Sequence, residues 1–558
     1  MSAKKISISI LVVILLLGGL LRFWRLGSSE LAFDEGLDSF RSIGYVDFLD
    51  SAAQTTPLQW VSDNPLPWWL YLSFHDHPPL YFLIQHFSFL ILGENLWAAR
   101  LPSAVAGLAS VFLFYFIGHR LFLRLTAIKN KKTEYFFFGF PPEEAAALGA
   151  ALLAAVSMAL TSTSRLAMQE SVLFFFILLN IYFFLRFLEN AKSWPWFGLT
   201  LGLVLLTKYT GIFLVPAYFI YLAVFNPSFL RRKELYLSSI LTLFIFSPVI
   251  LYNIFLYRAF GHFDLQFAYL FQQKISQWPT DLAGGKTQEP FSAIWENLRI
   301  IFSVPFMIMF LAGFGVWLRE RSKQIVLFLL LLVFIILELV FTGSAIRFSS
   351  LLAVPIVFLA AGGLFFFSRT SPVLAKIFLI VFLAAAAREF WFSHDTLFLN
   401  ASDYGAVKLD NYFSSVLGEY RSDYLPADKN VHLNEVIQKH GVPREINLAP
   451  TGIVYDNNLD DSFKLWLFSR RRYYQGIPTA DLSSLQKDLI QKDLSAYKGF
   501  TLYITKAGPG APLKPLGLIS YSSTLDDFLE NINKTNPPLV IKGLNSLPAF
   551  LVYRIKVN

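Results

Sequence analysis

Cysteine is absent from this chain of 558 residues, and only 15% of its residues carry charge. The first absence excludes disulfides, thiolate nucleophiles and cysteine-ligated metals. The second sets the chain apart from soluble domains, in which roughly a quarter of residues are charged. No internal repeat is visible, which weighs against the duplicated architecture of many transporters. A phosphate-binding loop of the Gly-x-x-x-x-Gly-Lys-Ser/Thr type is also missing. Ala283-Gly284-Gly285-Lys286 lacks its spacing, so nucleotide-dependent chemistry is not expected.

Present instead are apolar residues, at 55% of the chain, 58 phenylalanines among them, and a mean hydropathy of +0.50. The net charge of +8 is not a nucleic-acid signal. Its lysines and arginines stand in short segments beside apolar runs, where they orient a membrane protein. Lys4-Lys5, Arg120 to Lys132, Lys192, Arg231-Arg232-Lys233, Arg319-Arg321-Lys323 and Arg369-Lys376 are expected on the cytoplasmic side. Arg22 and Arg25 are local exceptions. Parity between these clusters predicts an α-helical polytopic protein of about eleven transmembrane helices, with residues 1–393 as the membrane unit. Residues 22–96 form a long outer loop within it, and 394–558 a C-terminal extracytoplasmic α/β domain. The first apolar run, Ile6–Leu21, lacks a small-x-small cleavage pattern and reads as a retained anchor.

Two runs do not fit simple crossings. Residues 79–93 would span only about 22 Å as a helix, short of a bilayer core of roughly 30 Å, and are expected to lie at the outer interface. Residues 198–225 are broken by Lys208, Gly211 and Pro216, which predicts two short helices meeting near Lys208.

With this orientation one membrane face collects Asp34, Glu35, His75, Asp76, His77, Arg165, Glu170, Lys208 and Arg347. Ionisable groups at membrane depth are costly and mark functional sites. Each has a plainer explanation. Asp34-Glu35 could cap a helix starting near Gly36, His75 and His77 could be ordinary loop residues, Lys208 could snorkel, and Arg165 with Glu170 could be an ion pair across a turn.

Taken in order, the residues form a more specific pattern. Phe33-Asp34-Glu35-Gly36, His77-Pro78-Pro79-Leu80-Tyr81, Arg100-Leu101-Pro102-Ser103, Arg165-x-x-Met168-x-Glu170, and Leu206-Thr207-Lys208 with Pro216 resemble the GT-C fold membrane glycosyltransferases. The nearest likeness is to bacterial aminoarabinose-to-lipid A transferases and protein O-mannosyltransferases. It covers about residues 1–225 by motif and 226–393 by layout, with Arg347 and Pro355. The resemblance implies sugar transfer from a polyprenyl-phosphate-linked donor to a lipid, glycan or protein acceptor. It further implies that transfer is to be expected on the non-cytoplasmic face of a bacterial inner or plasma membrane. Asp34 matches the catalytic acid of the first outer loop and Glu170 the acid of the second. His77 stands where aminoarabinose transferases carry a phosphate-contacting lysine, and the mannosyltransferases have His-Pro-Pro as here.

The residues support this chemistry independently. A lipid-phosphate leaving group needs positive charge rather than a general acid, which suits His77, Lys208, Arg347 and Arg165. An acceptor hydroxyl needs a base, for which Asp34 is the candidate, with Glu35 or Glu170 orienting acceptor or base. One base and no nucleophile imply direct displacement with inversion. His75, Asp76 and Tyr81 are candidates for contacting the acceptor or supporting the reacting groups, and a divalent cation could sit at Asp34, Glu170 and His77. No other cofactor and no nucleic acid are expected. The competing class is a transporter or flippase of lipid-linked sugars. In the C-terminal region, Asp481–Lys492 and Leu525–Asn533 read as helices and 500–504, 539–542 and 550–555 as strands. Arg470-Arg471-Arg472 could attract an anionic acceptor or a lipid headgroup, or be a solvated surface.

Overall fold

The computed structural model describes residues 3–32, 34–51, 54–128, 140–275, 277–278, 291–320, 323–343, 345–369, 372–417, 426–440, 450–515 and 517–557. Phe33, the Gly284-Gly285 segment, Lys129 to Lys132 and Arg321, all used above, lie outside them.

Among the described residues, six helices are long and apolar enough to cross a membrane: Lys4–Phe23, Leu96–Arg124, Glu170–Glu189, Lys233–Phe260, Lys323–Thr342 and Ile346–Phe367. Two bent pairs raise the count to eight, Pro142–Val156 with Met158–Ser164 (54°) and Ser292–Ile301 with Val304–Gly315 (112°). The protein is thus a multi-pass membrane protein, with six to eight such spans among the described residues against the expected eleven or so. Two of the expected spans are short helices, Trp194–Thr207 and Leu214–Phe225. Another, Pro372–His394, carries Lys376, Arg388 and Glu389 and is not among the apolar spans.

Buried polar groups hold the bends. A broken helix leaves backbone N–H groups without intrahelical acceptors. The fully buried Glu389 accepts from the N–H of Met158 (3.1 Å) with one oxygen and of Ser303 (3.1 Å) with the other, serving both bends at once. The run 198–225 divides as its sequence predicts. Lys208 is extended (φ −160°, ψ 138°) between Trp194–Thr207 and a single-turn helix at Tyr209–Phe213. Residues 79–93 form one short helix, Leu80–Leu92.

The span Ile346–Phe367 runs through the middle of the bundle, nearly all of it buried, with the Phe358 ring packed at a tilt against both Phe114 and Phe328. Arg347 begins this helix, so packing of the core fixes where its guanidinium emerges.

The C-terminal region carries one mixed five-stranded sheet in the order β2-β1-β3-β5-β4, formed by Thr451–Tyr455 (β1), Thr479–Asp481 (β2), Thr501–Ala507 (β3), Leu539–Lys542 (β4) and Pro548–Lys556 (β5). β1 pairs in parallel with β2 and β3, and β5 runs antiparallel to β3 and β4. β3, β4 and β5 match the three strands read from sequence, as helices Leu482–Gln491 and Ser523–Thr535 match the two helices.

This region does not sit apart from the membrane unit. Leu31, Phe40, Ile43, Phe48, Leu58 and Phe89 share one hydrophobic core with Phe413, Trp466, Phe468 and Tyr474. Arg470 and Arg471, read from sequence as a surface run, are buried and both pair with Asp410, at 2.7 and 2.8 Å. Trp466 lies under the Arg470 guanidinium at 3.9 Å. A charge removed from water needs such a partner, so this tract is structural.

Candidate active site

Helix Glu35–Gly44 begins at Asp34. Its apolar Phe40 and Ile43 enter the core shared with the C-terminal region. Gly36 permits a close approach there: a Cβ at this position would lie 2.0 Å from the carbonyl oxygen of Ser462. The Gly36 N–H donates to Ser462 Oγ at 3.0 Å, so the C-terminal region reaches within two residues of Asp34.

Asp34 does not cap this helix with its side chain. Its half-exposed carboxylate accepts instead from Arg347 at 2.5 Å. Glu170, at the start of its span, accepts from Lys208 Nζ at 2.6 Å. The two ion pairs adjoin, because Phe348 carries Lys208 Nζ at 4.6 Å and Arg347 Cζ at 4.8 Å from its ring centre. Such cation–π contacts hold a cation without neutralising it. Glu170, Lys208, Arg347 and Phe348 line one narrow cleft together with Glu338. Glu338 was not singled out from sequence, although an acid inside the apolar run 324–341 is the signal that marks such residues.

Glu35 faces away from this cleft. It is fully buried, and both carboxylate oxygens are occupied by Arg100 (Nε and Nη2, 2.8 Å each), with the N–H groups of Ala32 (2.9 Å) and Ala167 (2.6 Å) completing its shell. Arg100 also donates to the carbonyls of Leu26, Ser29 and Glu30. The expectation of a reacting or acceptor-contacting acid at Glu35 is corrected accordingly, since both of its oxygens are taken, whereas the expectation that it orients the base Asp34 is not. Its ion pair joins the loop before Asp34 to the turn before Glu170.

Arg165 also departs from expectation. It neither pairs with Glu170 nor joins the cleft. Its guanidinium donates to the carbonyls of Leu21, Arg22 and Trp24 (3.0, 3.2 and 2.9 Å), closing the end of helix Ala3–Phe23. Burial pulls its pKa down to about 10.

A second polar cluster supports the loop from behind. Arg41 is fully buried, donating to Asp76 (2.5 and 3.1 Å) and Asp47 (2.6 Å). His75 lies against Asp47 through its Nδ1 (2.8 Å) and backbone N–H (2.7 Å), and His77 Nδ1 lies 2.9 Å from Asp76. Burial opposes ionisation of both aspartates. The positive charge of Arg41 and the histidines prevails, holding Asp47 below and Asp76 well below the usual carboxylate range. The same aspartates raise His75 against the effect of its burial. Asp38 behaves oppositely. One helical turn beyond Asp34, it is pushed well above the usual range by burial and by the charge of Asp34. Tyr81 is buried beneath this layer.

Among the described residues, only Asp47, His75 and Asp76 gather closely enough to share a metal ion, within 4.8 Å of one another. Arg41 already donates to both carboxylates there, and a cation would have to sit against its positive charge. The set Asp34, Glu170 and His77 does not converge, since each faces a different partner.

Residues 76–129 and 135–252 match the family described as dolichyl-phosphate-mannose-protein mannosyltransferase. No curated protein sequence matches the chain. Among solved structures, ArnT from Cupriavidus metallidurans bound to undecaprenyl phosphate superposes with a TM-score of 0.56 at 13% identity, covering 99% of this chain and 98% of that one. The oligosaccharyltransferase of Archaeoglobus fulgidus in its apo form superposes with a TM-score of 0.51 at 13% identity, over 90% of this chain and 70% of that one. The chain has the GT-C fold.

Proposed function

We propose that this protein is a membrane glycosyltransferase that moves a sugar from a polyprenyl-phosphate donor to an acceptor hydroxyl, with inversion, on the non-cytoplasmic face. The observation that carries the reading is the juxtaposition of Asp34–Arg347 with Glu170–Lys208 around Phe348. The family match and the GT-C fold favour transfer over transport.

In this reading Arg347 and Lys208 bind the donor phosphate and stabilise the charge that develops as the glycosidic bond breaks. The phosphate then competes with Asp34 for Arg347. Donor binding thereby releases the carboxylate, which takes the proton of the acceptor hydroxyl as it attacks the anomeric carbon. Glu170 keeps Lys208 oriented, and Glu35 with Arg100 positions the loop that carries Asp34. Ser462 and the surrounding C-terminal region border the acceptor side of Asp34. The residues do not call for a metal, and none is given a role.

The test incubates purified protein in lipid with labelled undecaprenyl-phosphate sugars and a membrane extract as acceptor source. Label should move into a new product with wild type and not with Asp34→Asn. Absence of transfer from every donor, in folded wild-type protein, would remove the proposal.

A further inference from the structure

A second cavity, of about 330 Å³, opens where the end of helix Ala3–Phe23 meets the C-terminal region. It is lined by Arg25, Arg165 and Lys408 and by the hydroxyl-bearing Ser28, Ser29 and Ser402. Two acids also line it, and both are already committed. Glu30 accepts from the backbone N–H groups of Tyr404, Ala406 and Val407, at 3.1 Å each. Asp403 pairs with Lys408. Arg165 spends its donors on neutral carbonyls, and Arg25 has no side-chain hydrogen bond or ion pair among the described residues. Two arginine charges therefore enter one cavity without a carboxylate against either.

Arg25 moreover holds a φ of 53°, in the left-handed region that an arginine enters at a cost. That conformation turns its backbone at the end of the span. Trp24 and Leu399, next in sequence to the lining residues Arg25 and Phe398, are each 59% exposed, and Trp391 stands exposed on helix Pro372–His394. Tryptophan at the end of a membrane helix marks the headgroup level of a bilayer. The Ser28 and Ser29 hydroxyls already donate to the carbonyls of Arg25 and Leu26, but the two arginine charges and the Ser402 hydroxyl, beside Leu397 and Phe398 of the lining, match a phosphate attached to acyl chains.

We propose that this cavity is a lipid-headgroup site that takes the phosphate of a membrane phospholipid, separate from the Lys208–Arg347 cleft. The site does not depend on the sugar-transfer reading.

The test counts lipids retained by the purified full-length protein in native mass spectrometry, after addition of phosphatidylglycerol, diacylglycerol or inorganic phosphate alone. Three proteins are compared: wild type, Arg25→Gln, and Lys487→Gln, which removes an exposed charge elsewhere. Wild type and Lys487→Gln should retain phosphatidylglycerol and not diacylglycerol. Arg25→Gln should lose about tenfold in retention, the effect of one charge-assisted contact, with unchanged thermal stability. Equal phosphatidylglycerol retention by Arg25→Gln, or equal retention of the two lipids by wild type, would overturn the site. Displacement of the lipid by inorganic phosphate at concentrations comparable to the lipid would show a free-anion site and overturn the headgroup assignment.

Discussion

Asp34 and Arg347, 313 positions apart in sequence, meet at 2.5 Å at the mouth of the cleft that also holds Lys208. The cation proposed to bind the donor phosphate is thus paired with the carboxylate proposed as the base. In the proposed reaction this pairing couples donor binding to activation of the base.

In the proposed reaction Arg347→Gln removes a positive charge from the place where negative charge develops on the leaving phosphate. Turnover should fall by about 100-fold or more, the scale seen when one donor to a developing oxyanion is deleted. Donor affinity should fall with it. Arg347→Lys should recover part of the affinity, because the charge returns without the planar fork. Steady-state kinetics with the wild-type donor check both.

The Glu35–Arg100 pair is fully buried, and removing one partner strands the other charge. Glu35→Ala and Arg100→Ala should each cost about 3–5 kcal/mol of stability. The double variant should cost much less than their sum, as a double-mutant cycle would show. If Glu35 reacted directly, Glu35→Gln would abolish turnover at unchanged stability, which is opposite to the expectation here.

Gly36→Ala places a methyl group against the Ser462 carbonyl, with no room to accommodate it. Overpacking of this kind costs about 1–3 kcal/mol. Because the contact joins the first loop to the C-terminal region, limited proteolysis should cut the variant faster near residue 462.

Asp38 and Asp76 shift in opposite directions and predict opposite pH effects. Asp76 is held well below its ordinary value of 3.8, so its stabilisation is present above that value and lost as the pH falls towards the depressed one. Asp38 is raised, so its contribution is full below the ordinary value and lost as the pH rises through the raised one. Asp76→Asn should therefore flatten the acid limb of a thermal stability profile and cost about 3–5 kcal/mol at neutral pH, leaving Arg41 short of a partner. Asp38→Asn, which mimics the protonated acid, should cost little and flatten the alkaline limb.

Much of the fold was legible because apolar periodicity and basic clusters are local signals. Lys208 illustrates this: a charge, a glycine and a proline inside an apolar run predicted the helix break that the structure shows. The span count was less legible. Glu389, buried and serving two bends, cannot be told from a surface acid by sequence alone. The nearness of Asp34, Glu170, Lys208 and Arg347 was suggested by assigning them to one membrane face. Their partners were not, because pairing depends on the path of each turn. Arg165 precedes Glu170 by five residues, yet its guanidinium turns back to the carbonyls of Leu21 and Trp24. Arg470 and Arg471 looked like surface charge because their counter-ion, Asp410, lies about sixty positions away.

In the proposed reaction Asp34 serves the acceptor and yields Arg347 to the donor. Donor affinity and turnover should be measured side by side for wild type and Asp34→Asn in the same lipid. The account predicts turnover lower by about 100- to 10,000-fold, the range for loss of a general base, with donor affinity unchanged or tighter because a competitor for Arg347 is gone. Turnover within twofold of wild type, or donor affinity lost together with turnover, would contradict it.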